Sequence, residues 1–168
     1  MKNLFKKIVR KLILLIRYNP YNYSIKLRNL FYKFLFKNSG KNFNILDGVI
    51  INFPENVSIG NNVSIHQFCC FDSQDDITIG NNVSIGNSVK FVTSSHNFFH
   101  RDILIKNQGV SIKPILIEDN VWIGSGVTIL QGVKISKNSI IGANSLVNKN
   151  IPENVIAAGV PCKVIKTR

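Results

Sequence analysis

No acidic residue occurs in the first 41 positions of this 168-residue chain, although nine Asp and Glu residues occur in the rest. The same positions carry eleven of the 21 Lys and Arg residues, so the net charge of +12 is concentrated in an N-terminal arm, residues 1–41. Nucleic acid is not an expected partner, because no recognised binding motif accompanies this charge. Only 18% of the residues are charged and 45% are hydrophobic, which excludes wholesale disorder and predicts one domain with a short appendage.

Cysteines and long apolar runs are also scarce. The three cysteines, Cys69, Cys70 and Cys162, form neither an even-numbered framework nor a CxxC pair, so a reducing compartment is expected. The apolar run at residues 12–16 is too short for the core of a signal peptide or for a membrane span. We therefore expect a cytoplasmic protein with no secretion signal and no transmembrane helix.

The basic arm shows helical periodicity. Apolar residues fall in pairs three to four positions apart within residues 4–16, with Lys and Arg between them, and residues 25–36 repeat the pattern. These spacings predict two short amphipathic helices. For residues 1–17 we favour a helix on an anionic membrane surface, because basic side chains flank its apolar stripe. Packing on the protein body or on a second subunit is the alternative, and it is the favoured interpretation for residues 25–37.

Beyond residue 50 the chain repeats itself every six residues. Each unit opens with an aliphatic residue or Phe and usually places a small or β-branched residue four positions later. Eleven units show the pattern, beginning at Phe53, Ile59, Ile65, Ile79, Ile85, Phe91, Ile117, Ile123, Ile129, Ile135 and Ile141. This period fits neither an amphipathic helix nor a hairpin meander, but it fits a parallel β-helix in which each unit is one short strand and one turn. The opening residue is expected to point inward, and Gly and Asn supply positive φ angles at the corners.

Two interruptions of the period mark loops. Two extra residues enter around residues 72–76, and a longer segment, residues 97–114, separates the later units from the earlier ones. Insertions in a solenoid leave the stack as loops on one face, which often carries the binding site. We therefore expect the functional site beside these two segments.

The repeat resembles that of the hexapeptide-repeat acyltransferases over about residues 50–168. The resemblance implies an all-β solenoid for residues 42–168, a left-handed parallel β-helix of triangular section, preceded by the short α-helical arm. The left hand is taken from the family alone, because crossover connections are usually right-handed. The resemblance also implies a C-terminal segment that binds coenzyme A (CoA) and a homotrimer with active sites between subunits.

A more specific resemblance is to the galactoside and maltose O-acetyltransferase branch. It rests on residues 91–97 (Phe-Val-Thr-Ser-Ser-His-Asn), on the loop that follows, on residues 117–125 and on the C-terminal residues 151–166. The resemblance makes His96 the general base and acetyl-CoA the donor, with no metal required.

The implied chemistry needs few groups. A sugar hydroxyl is a weak nucleophile at neutral pH, and an imidazole such as that of His96 can remove its proton during attack on the thioester. The family uses a backbone amide for the oxyanion, and Ser125 occupies the matching position. A structural role for His96 at a coil corner is the alternative, while His66 and His100 are expected to be structural or solvent-facing.

By the same resemblance, CoA lies in a groove along the C-terminal coils. The expected contacts are Trp122, Ser125, Ala143, Asn148 and Lys149 on the pantetheine path, and Lys163 and Lys166 near the phosphates. Lysine suits a phosphate as a point charge. Asn148 departs from the Thr that is commoner in the family, and packing between coils is the alternative role of Trp122.

The acceptor site matches the family least well. The galactoside enzymes place an Asn and an Asp in the coil before the catalytic one, where this chain offers no clean match. The candidate acceptor contacts are Asp72, Asn97 and Arg101. The basic arm differs from the usual helical cap and resembles acetyltransferases of surface polysaccharide assembly, whose acceptors can be lipid-linked sugars. We expect a saccharide other than free galactoside or maltose, and a peripheral position on the inner face of the cytoplasmic membrane.

Three other functions remain open on the sequence. Acyl transfer assisted by histidine works equally for amines, so an amino sugar or an antibiotic is an alternative acceptor. Carbonic anhydrases with this repeat bind zinc through three histidines, and this chain has three, His66, His96 and His100, at a different spacing. A non-catalytic membrane-bound scaffold is the third alternative.

Overall fold

The structure, a computed structural model, describes residues 2–168, with side chains from residue 4 onward. Helix α1 spans Lys2–Ile16 and helix α2 spans Asn22–Leu35. Each overlaps a segment predicted to be an amphipathic helix, but α1 begins two residues and α2 three residues before the predicted start. Neither of these helices is long and apolar enough to cross a membrane, and the same holds for the rest of residues 2–168. From Asn38 onward the chain forms short strands wound into a solenoid, so the first strand lies just before residue 42.

The solenoid has three sheet faces on which successive coils pair in parallel. Face A contains β1 (Asn38–Ser39), β4 (Val57–Ile59), β7 (Ile77–Ile79), β12 (Ile115–Ile117) and β15 (Lys134–Ile135). Face B contains β2 (Asn44–Ile45), β5 (Ser64–Ile65), β8 (Ser84–Ile85), β13 (Trp122–Ile123), β16 (Ile140–Ile141), β18 (Val155–Ala158) and β19 (Lys163–Thr167), the last antiparallel to β18. Face C contains β3 (Ile50–Asn52), β6 (Cys70–Asp72), β9 (Lys90–Val92), β14 (Thr128–Leu130) and β17 (Leu146–Val147). A separate hairpin consists of β10 (Ser94–His96) and β11 (Val110–Ile112).

The core is a column of aliphatic and aromatic side chains enclosed by the coils. The opening residue of every predicted unit from Ile59 to Ile141 is buried, as are most of the residues four positions later. Phe71 and Phe91 stack inside face C, with their ring centroids 4.4 Å apart. Burial of one side chain of this size stabilises the fold by roughly 1.5–3 kcal/mol. The predicted inward orientation of these residues is confirmed.

The first coils are longer than three hexapeptides. Ser58 pairs with Thr78 twenty positions on, whereas Leu116 pairs with Lys134 eighteen positions on. The extra pair of residues predicted around residues 72–76 lies at the corner between faces C and A, and a second extra pair lies one coil earlier, at residues 53–56.

The prediction that a repeat unit begins at Phe53 is wrong. Phe53 is 50% exposed and has a positive φ of 50°, in a turn that leads into the 3₁₀ segment Pro54–Asn56. Ile51 fills the core position of this coil instead. Phe53 matched the repeat because Phe opens another unit at Phe91, and the inserted pair of residues restored the apparent spacing.

One corner of the solenoid is a ladder of asparagines. Asn62 has a positive φ, its side chain donates to Oδ1 of Asn82 in the next coil at 2.9 Å, and it accepts from Asn42. Asparagine tolerates this backbone conformation better than most residues, as predicted for the corners. The same conformation recurs in later coils at Asn82, Asn120, Asn138 and Asn154.

The two helices dock on the first coil through one side of each helix. Val9 and Ile13 of α1 are buried, as are Tyr32 and Leu35 of α2. The remaining buried residue of note is Arg28 of α2, which is 1% exposed. Its guanidinium donates to backbone carbonyls at the end of α1 and in β2, so it fastens the helices to the solenoid.

Candidate active site

His96 ends strand β10, in a hairpin that leaves the solenoid between β9 and β12. Ser94 lies opposite Ile112 and His96 lies opposite Val110. His96 is exposed, and its imidazole makes no hydrogen bond with the described part of the chain. The excursion from the coils begins at Ser94, earlier than the predicted Asn97, because Thr93 is still buried in the coil and Ser94 to His96 form a strand outside the stack.

The loop beyond His96 is held by the side chain of Gln108. Its Oε1 accepts from the amide of His100 at 3.0 Å, and its Nε2 donates to the carbonyls of His100 and Ile103 at 2.8 Å. Asn97 closes the base of the loop, since its amide group donates to the Gln108 carbonyl at 3.1 Å. Asn97, predicted to contact the acceptor, therefore already has a structural bond, and Gln108 is a supporting residue that the sequence pattern did not indicate.

A carboxylate lies beside the strand that carries His96. The hydroxyl of Ser94 donates to Oδ2 of Asp72 at 2.8 Å and accepts from Nε2 of Gln74 at 3.2 Å. Ser94 and His96 project from the same side of β10, because side chains alternate along a strand. The structure thus brings Asp72 close to the hairpin of His96, while Arg101 lies exposed at the tip of the loop.

Ser125 lies in the corner between β13 and β14, where its backbone amide is free. The amides on either side donate to the carbonyls of Ile141 and Asn87 at 2.8 Å, but the Ser125 amide donates to no group among residues 2–168. The corner is tight, since a Cβ on Gly124 would lie 2.6 Å from the amide nitrogen of Ala143 in the next coil. Ser125 and Ala143 therefore occupy one corner in successive coils, with a free N–H available for an anionic oxygen.

His96 and Ser125 lie at opposite ends of face C. Ser125 precedes a face C strand, whereas the His96 hairpin follows one, and such a three-residue strand is about 10 Å long. The hydrogen bonds that join the hairpin to the coils lie at the corner that follows face C. One of them runs from the Lys113 amide to the Thr93 carbonyl. A single copy of the chain therefore presents the predicted base and the predicted oxyanion donor at two different corners.

The other predicted CoA contacts divide between these regions. Asn148 and Lys149 are exposed at the corner that follows face C, on the hairpin side. Trp122 is 56% exposed on the outside of face B, so it does not pack between coils as the alternative supposed. Its row continues across face B through Ile140 and Ile156 to Lys166 on the edge strand, which also carries Lys163.

The cysteines do not supply a thiolate nucleophile at neutral pH. Burial raises the pKa of Cys69 to about 11, and its thiol donates to the Gly86 carbonyl. Burial also raises the pKa values of Cys70 and Cys162. An acyl-enzyme on cysteine is therefore disfavoured, since the thiolate is the reactive form.

The three histidines do not converge within one chain. His66 follows face B, at the corner equivalent to that of Ser125, while His96 and His100 belong to the hairpin after face C. Among side chains of residues 4–168, no group of three His, Cys, Asp or Glu is arranged to hold a metal ion.

Comparison with known proteins supports the predicted relationship. Residues 114–149 match the family described as bacterial transferase hexapeptide (six repeats). A galactoside O-acetyltransferase of Lactococcus lactis is 36% identical over 165 residues, which cover 97% of this chain and 79% of that protein. The galactoside O-acetyltransferase of Escherichia coli is 37% identical over 84% of this chain and 69% of its own length. A Saccharomyces cerevisiae relative is 42% identical, but the chain spans only 59% of the yeast protein.

Two solved structures share the fold. A galactoside acetyltransferase in complex with CoA has a TM-score of 0.85 at 36% identity, covering 99% of this chain and 80% of that one. A hexapeptide-repeat acetyltransferase of Vibrio cholerae complexed with acetyl-CoA has a TM-score of 0.85 at 30% identity, covering 98% and 87%. These likenesses confirm the predicted solenoid and the predicted family. The chain belongs to the hexapeptide-repeat acetyltransferases, with galactoside O-acetyltransferases among its relatives.

Proposed function

We propose that this protein transfers the acetyl group of acetyl-CoA to a hydroxyl group of a saccharide. The observation that carries the proposal is the position of His96, exposed at the end of β10 with an imidazole that is free of other hydrogen bonds. Relatives that are named galactoside O-acetyltransferases, and solved relatives that hold CoA or acetyl-CoA, support the donor and the reaction class. Both substrates would meet at the hairpin.

In the proposed reaction, the imidazole of His96 accepts the proton of the sugar hydroxyl as the hydroxyl oxygen attacks the thioester carbon. A C–O bond forms, and the carbonyl electron pair moves onto the oxygen. The backbone N–H of Ser125 donates to this oxyanion. Collapse of the intermediate breaks the C–S bond, and the imidazolium returns its proton to the CoA thiolate. The products are an acetyl ester and CoA.

The proposed enzyme is a homotrimer in which each active site uses two copies of the chain. The hairpin corner with His96 and the Ser125 corner lie at opposite ends of face C, so one copy would supply the base and its neighbour the oxyanion donor. Closed rings of identical subunits create such heterologous interfaces.

Mixing of two inactive variants tests the two-copy site. His96→Ala removes the base, and Ala143→Trp fills the corner beside Ser125. If two chains form each site, co-refolded mixtures should regain about a quarter of wild-type activity, because a quarter of the interfaces pair two intact halves. A mixture as inactive as its components, although sedimentation shows mixed trimers, would place the whole site within one chain.

The CoA contacts follow from the same arrangement. Ala143 at the Ser125 corner and Asn148 and Lys149 at the hairpin corner would line the pantetheine from opposite sides of the interface. Trp122, Lys163 and Lys166 would accompany the nucleotide end along face B, where the lysines can serve as counter-charges for phosphate.

For the acceptor, we propose a lipid-linked saccharide of surface polysaccharide assembly at the inner face of the cytoplasmic membrane. Its support is the exposed apolar and basic surface of the two helices. Asp72, beside the His96 hairpin, and Arg101, exposed in the loop, are the candidate contacts for the saccharide. The Asp72 carboxylate can accept hydrogen bonds from sugar hydroxyls, although one of its oxygens already accepts from Ser94.

The experiment that tests the function measures acetyl-CoA-dependent acetylation of a saccharide panel, with free galactosides, amino sugars and lipid-linked oligosaccharides as acceptors. Hydroxylamine removes acetyl groups from the resulting esters but leaves amides intact. We expect hydroxylamine-sensitive products and the highest kcat/KM with a lipid-linked acceptor. Amide products alone would assign the protein to N-acetylation, and an absence of CoA release with every acceptor would contradict the proposal.

A further inference from the structure

Helix α1 keeps an apolar stripe exposed after it docks. Leu4, Ile8, Leu12 and Leu15 follow one another at intervals of four, four and three residues and therefore lie on one side of the helix. They are 65%, 48%, 38% and 80% exposed. The residues that anchor α1 to the solenoid, including Val9, lie on a neighbouring side. The predicted amphipathic stripe is thus divided, and only part of it is used for packing.

Helix α2 exposes a second stripe, which joins the first. Tyr23, Leu27, Leu30 and Phe34 recur every three to four residues and are 38–58% exposed. The ring of Phe34 meets that of Phe5 edge-on, with a centroid distance of 5.8 Å. The two stripes form one continuous surface, here called the helix face, consisting of Leu4, Phe5, Ile8, Leu12, Leu15, Leu27, Leu30 and Phe34. Packing, predicted for residues 25–37, accounts only for the opposite side of α2.

Arg28 gives the helix face a fixed orientation. The buried guanidinium makes three hydrogen bonds, to the carbonyls of Ile16, Asn19 and Ile45. These bonds hold the end of α1, the turn and the first coil together. The apolar side chains of the face cannot turn inward without breaking this connection, since the interior positions are already filled.

Basic side chains border the helix face. Lys7 and Lys11 are exposed one position before Ile8 and Leu12, and Lys26 and Lys33 hold the corresponding positions on α2. No acidic residue occurs in residues 1–41. A second copy of the same face would bring these like charges together, whereas an anionic lipid surface would oppose them with negative charge.

We infer that the helix face docks the enzyme on an anionic lipid bilayer, with the apolar side chains of both helices at the boundary between the headgroups and the acyl chains. The lysines contact the anionic headgroups, and the fixed helices hold the solenoid at one orientation to the membrane. The inference extends the membrane-side acceptor of the proposed function, but it stands on the helices alone.

Sedimentation with vesicles tests the inference on the full-length protein. The probes are vesicles of phosphatidylcholine alone and vesicles containing 30% phosphatidylglycerol, at low and high salt. Binding should require the anionic lipid and should weaken as salt rises, because the charge attraction acts over about 10 Å at 0.1 M ionic strength. Leu15→Glu and Phe34→Glu should each weaken binding at least about tenfold, since each removes apolar contact and adds repulsion.

Leu14→Glu is the matched control. Leu14 is the neighbour of Leu15 and is 56% exposed, but it lines a recess of about 460 Å³ with Arg10 and Phe53 on another side of α1. This variant should bind vesicles like the wild type. Melting temperatures and acetyl-CoA turnover with a water-soluble acceptor show that each variant is folded, and they separate failure of docking from failure of catalysis.

Three results would overturn the inference. If the wild-type protein stays in the supernatant when anionic vesicles are sedimented, the helix face does not bind anionic lipid. Equal recovery of Leu14→Glu, Leu15→Glu and Phe34→Glu places the contact elsewhere. If the Leu15→Glu assembly has half the mass of the wild-type assembly and binds vesicles equally well, a second copy of the chain covers the face.

Discussion

The Nε atom of Arg28 donates a hydrogen bond of 3.0 Å to the carbonyl oxygen of Ile45, which ties helix α2 to the first coil. The Nη1 atom of the same group donates to Ile16 and Asn19 at 2.7 and 2.8 Å. One planar fork thus satisfies three carbonyls in three segments, a geometry that suits guanidinium and not ammonium.

Replacement of Arg28 should loosen the helices. Arg28→Met should lower the free energy of unfolding by about 3 kcal/mol, since it leaves buried carbonyls without donors. For a chain of this size, that corresponds to a fall in melting temperature of about 6–12 °C. Arg28→Lys should recover only part of the loss. A thermal scan in which Arg28→Met matches the wild type would show that the fork is dispensable.

The stack of Phe71 on Phe91 should be the most sensitive point of the core near the site. Phe91→Ala should cost about 3–5 kcal/mol by leaving a cavity beneath the coil that precedes the hairpin, and Phe91→Leu should cost less. Phe53→Ala is the control, because Phe53 is half exposed. Denaturant unfolding measures all three, and similar losses for Phe91→Ala and Phe53→Ala would contradict the observed register.

The asparagine ladder allows backbone strain to be separated from side-chain bonding. Asn62→Ala should lose about 1–2 kcal/mol, because alanine is strained at positive φ and cannot bridge to Asn42 and Asn82. Asn62→Gly relieves the strain but not the lost bonds, so it should be the milder change. If the glycine variant is less stable than the alanine variant in urea, backbone strain at positive φ does not account for the loss in the alanine variant.

Acid should weaken the corner that contains Asp119. The backbone amide of Asn81 donates to the Asp119 carboxylate at 2.7 Å, and this bond lowers the pKa of Asp119 in the folded state. A lowered folded pKa adds stability above the unfolded pKa of about 3.9, and the contribution disappears as pH falls through the lower folded value. Asp119→Asn should therefore melt below the wild type at pH 7, and the difference should shrink as the pH falls below the unfolded pKa and through the lower folded one. A constant difference across this range would show that the charge makes no contribution.

Much of the fold followed from the period of six, because the inward residue of each coil must be apolar and each corner needs a residue that tolerates positive φ. The position of Phe53 was missed since an inserted pair of residues, when added to one coil, leaves an apolar residue at the expected spacing. Only pairing with the next coil reveals the shift, and pairing is a long-range property.

The site was predictable in part. His96 and Ser125 could be placed by resemblance, but their separation along face C depends on which corner each segment leaves, and that follows from the register. Gln108 carried no signal, because its bonds to the loop are to backbone groups. The helices posed a similar difficulty: Ile8 and Val9 are equally apolar neighbours, and tertiary packing alone decides that Val9 is buried and Ile8 is exposed.

The central claim is that His96 is the base for acetyl transfer from acetyl-CoA to a saccharide hydroxyl. Its most direct test is the turnover of His96→Ala against that of His100→Ala, an exposed histidine of the same loop, with CoA affinity measured in parallel. We predict that His96→Ala lowers kcat by roughly 100-fold or more with CoA affinity largely retained, while His100→Ala stays near the wild type. Wild-type turnover by His96→Ala would contradict the account.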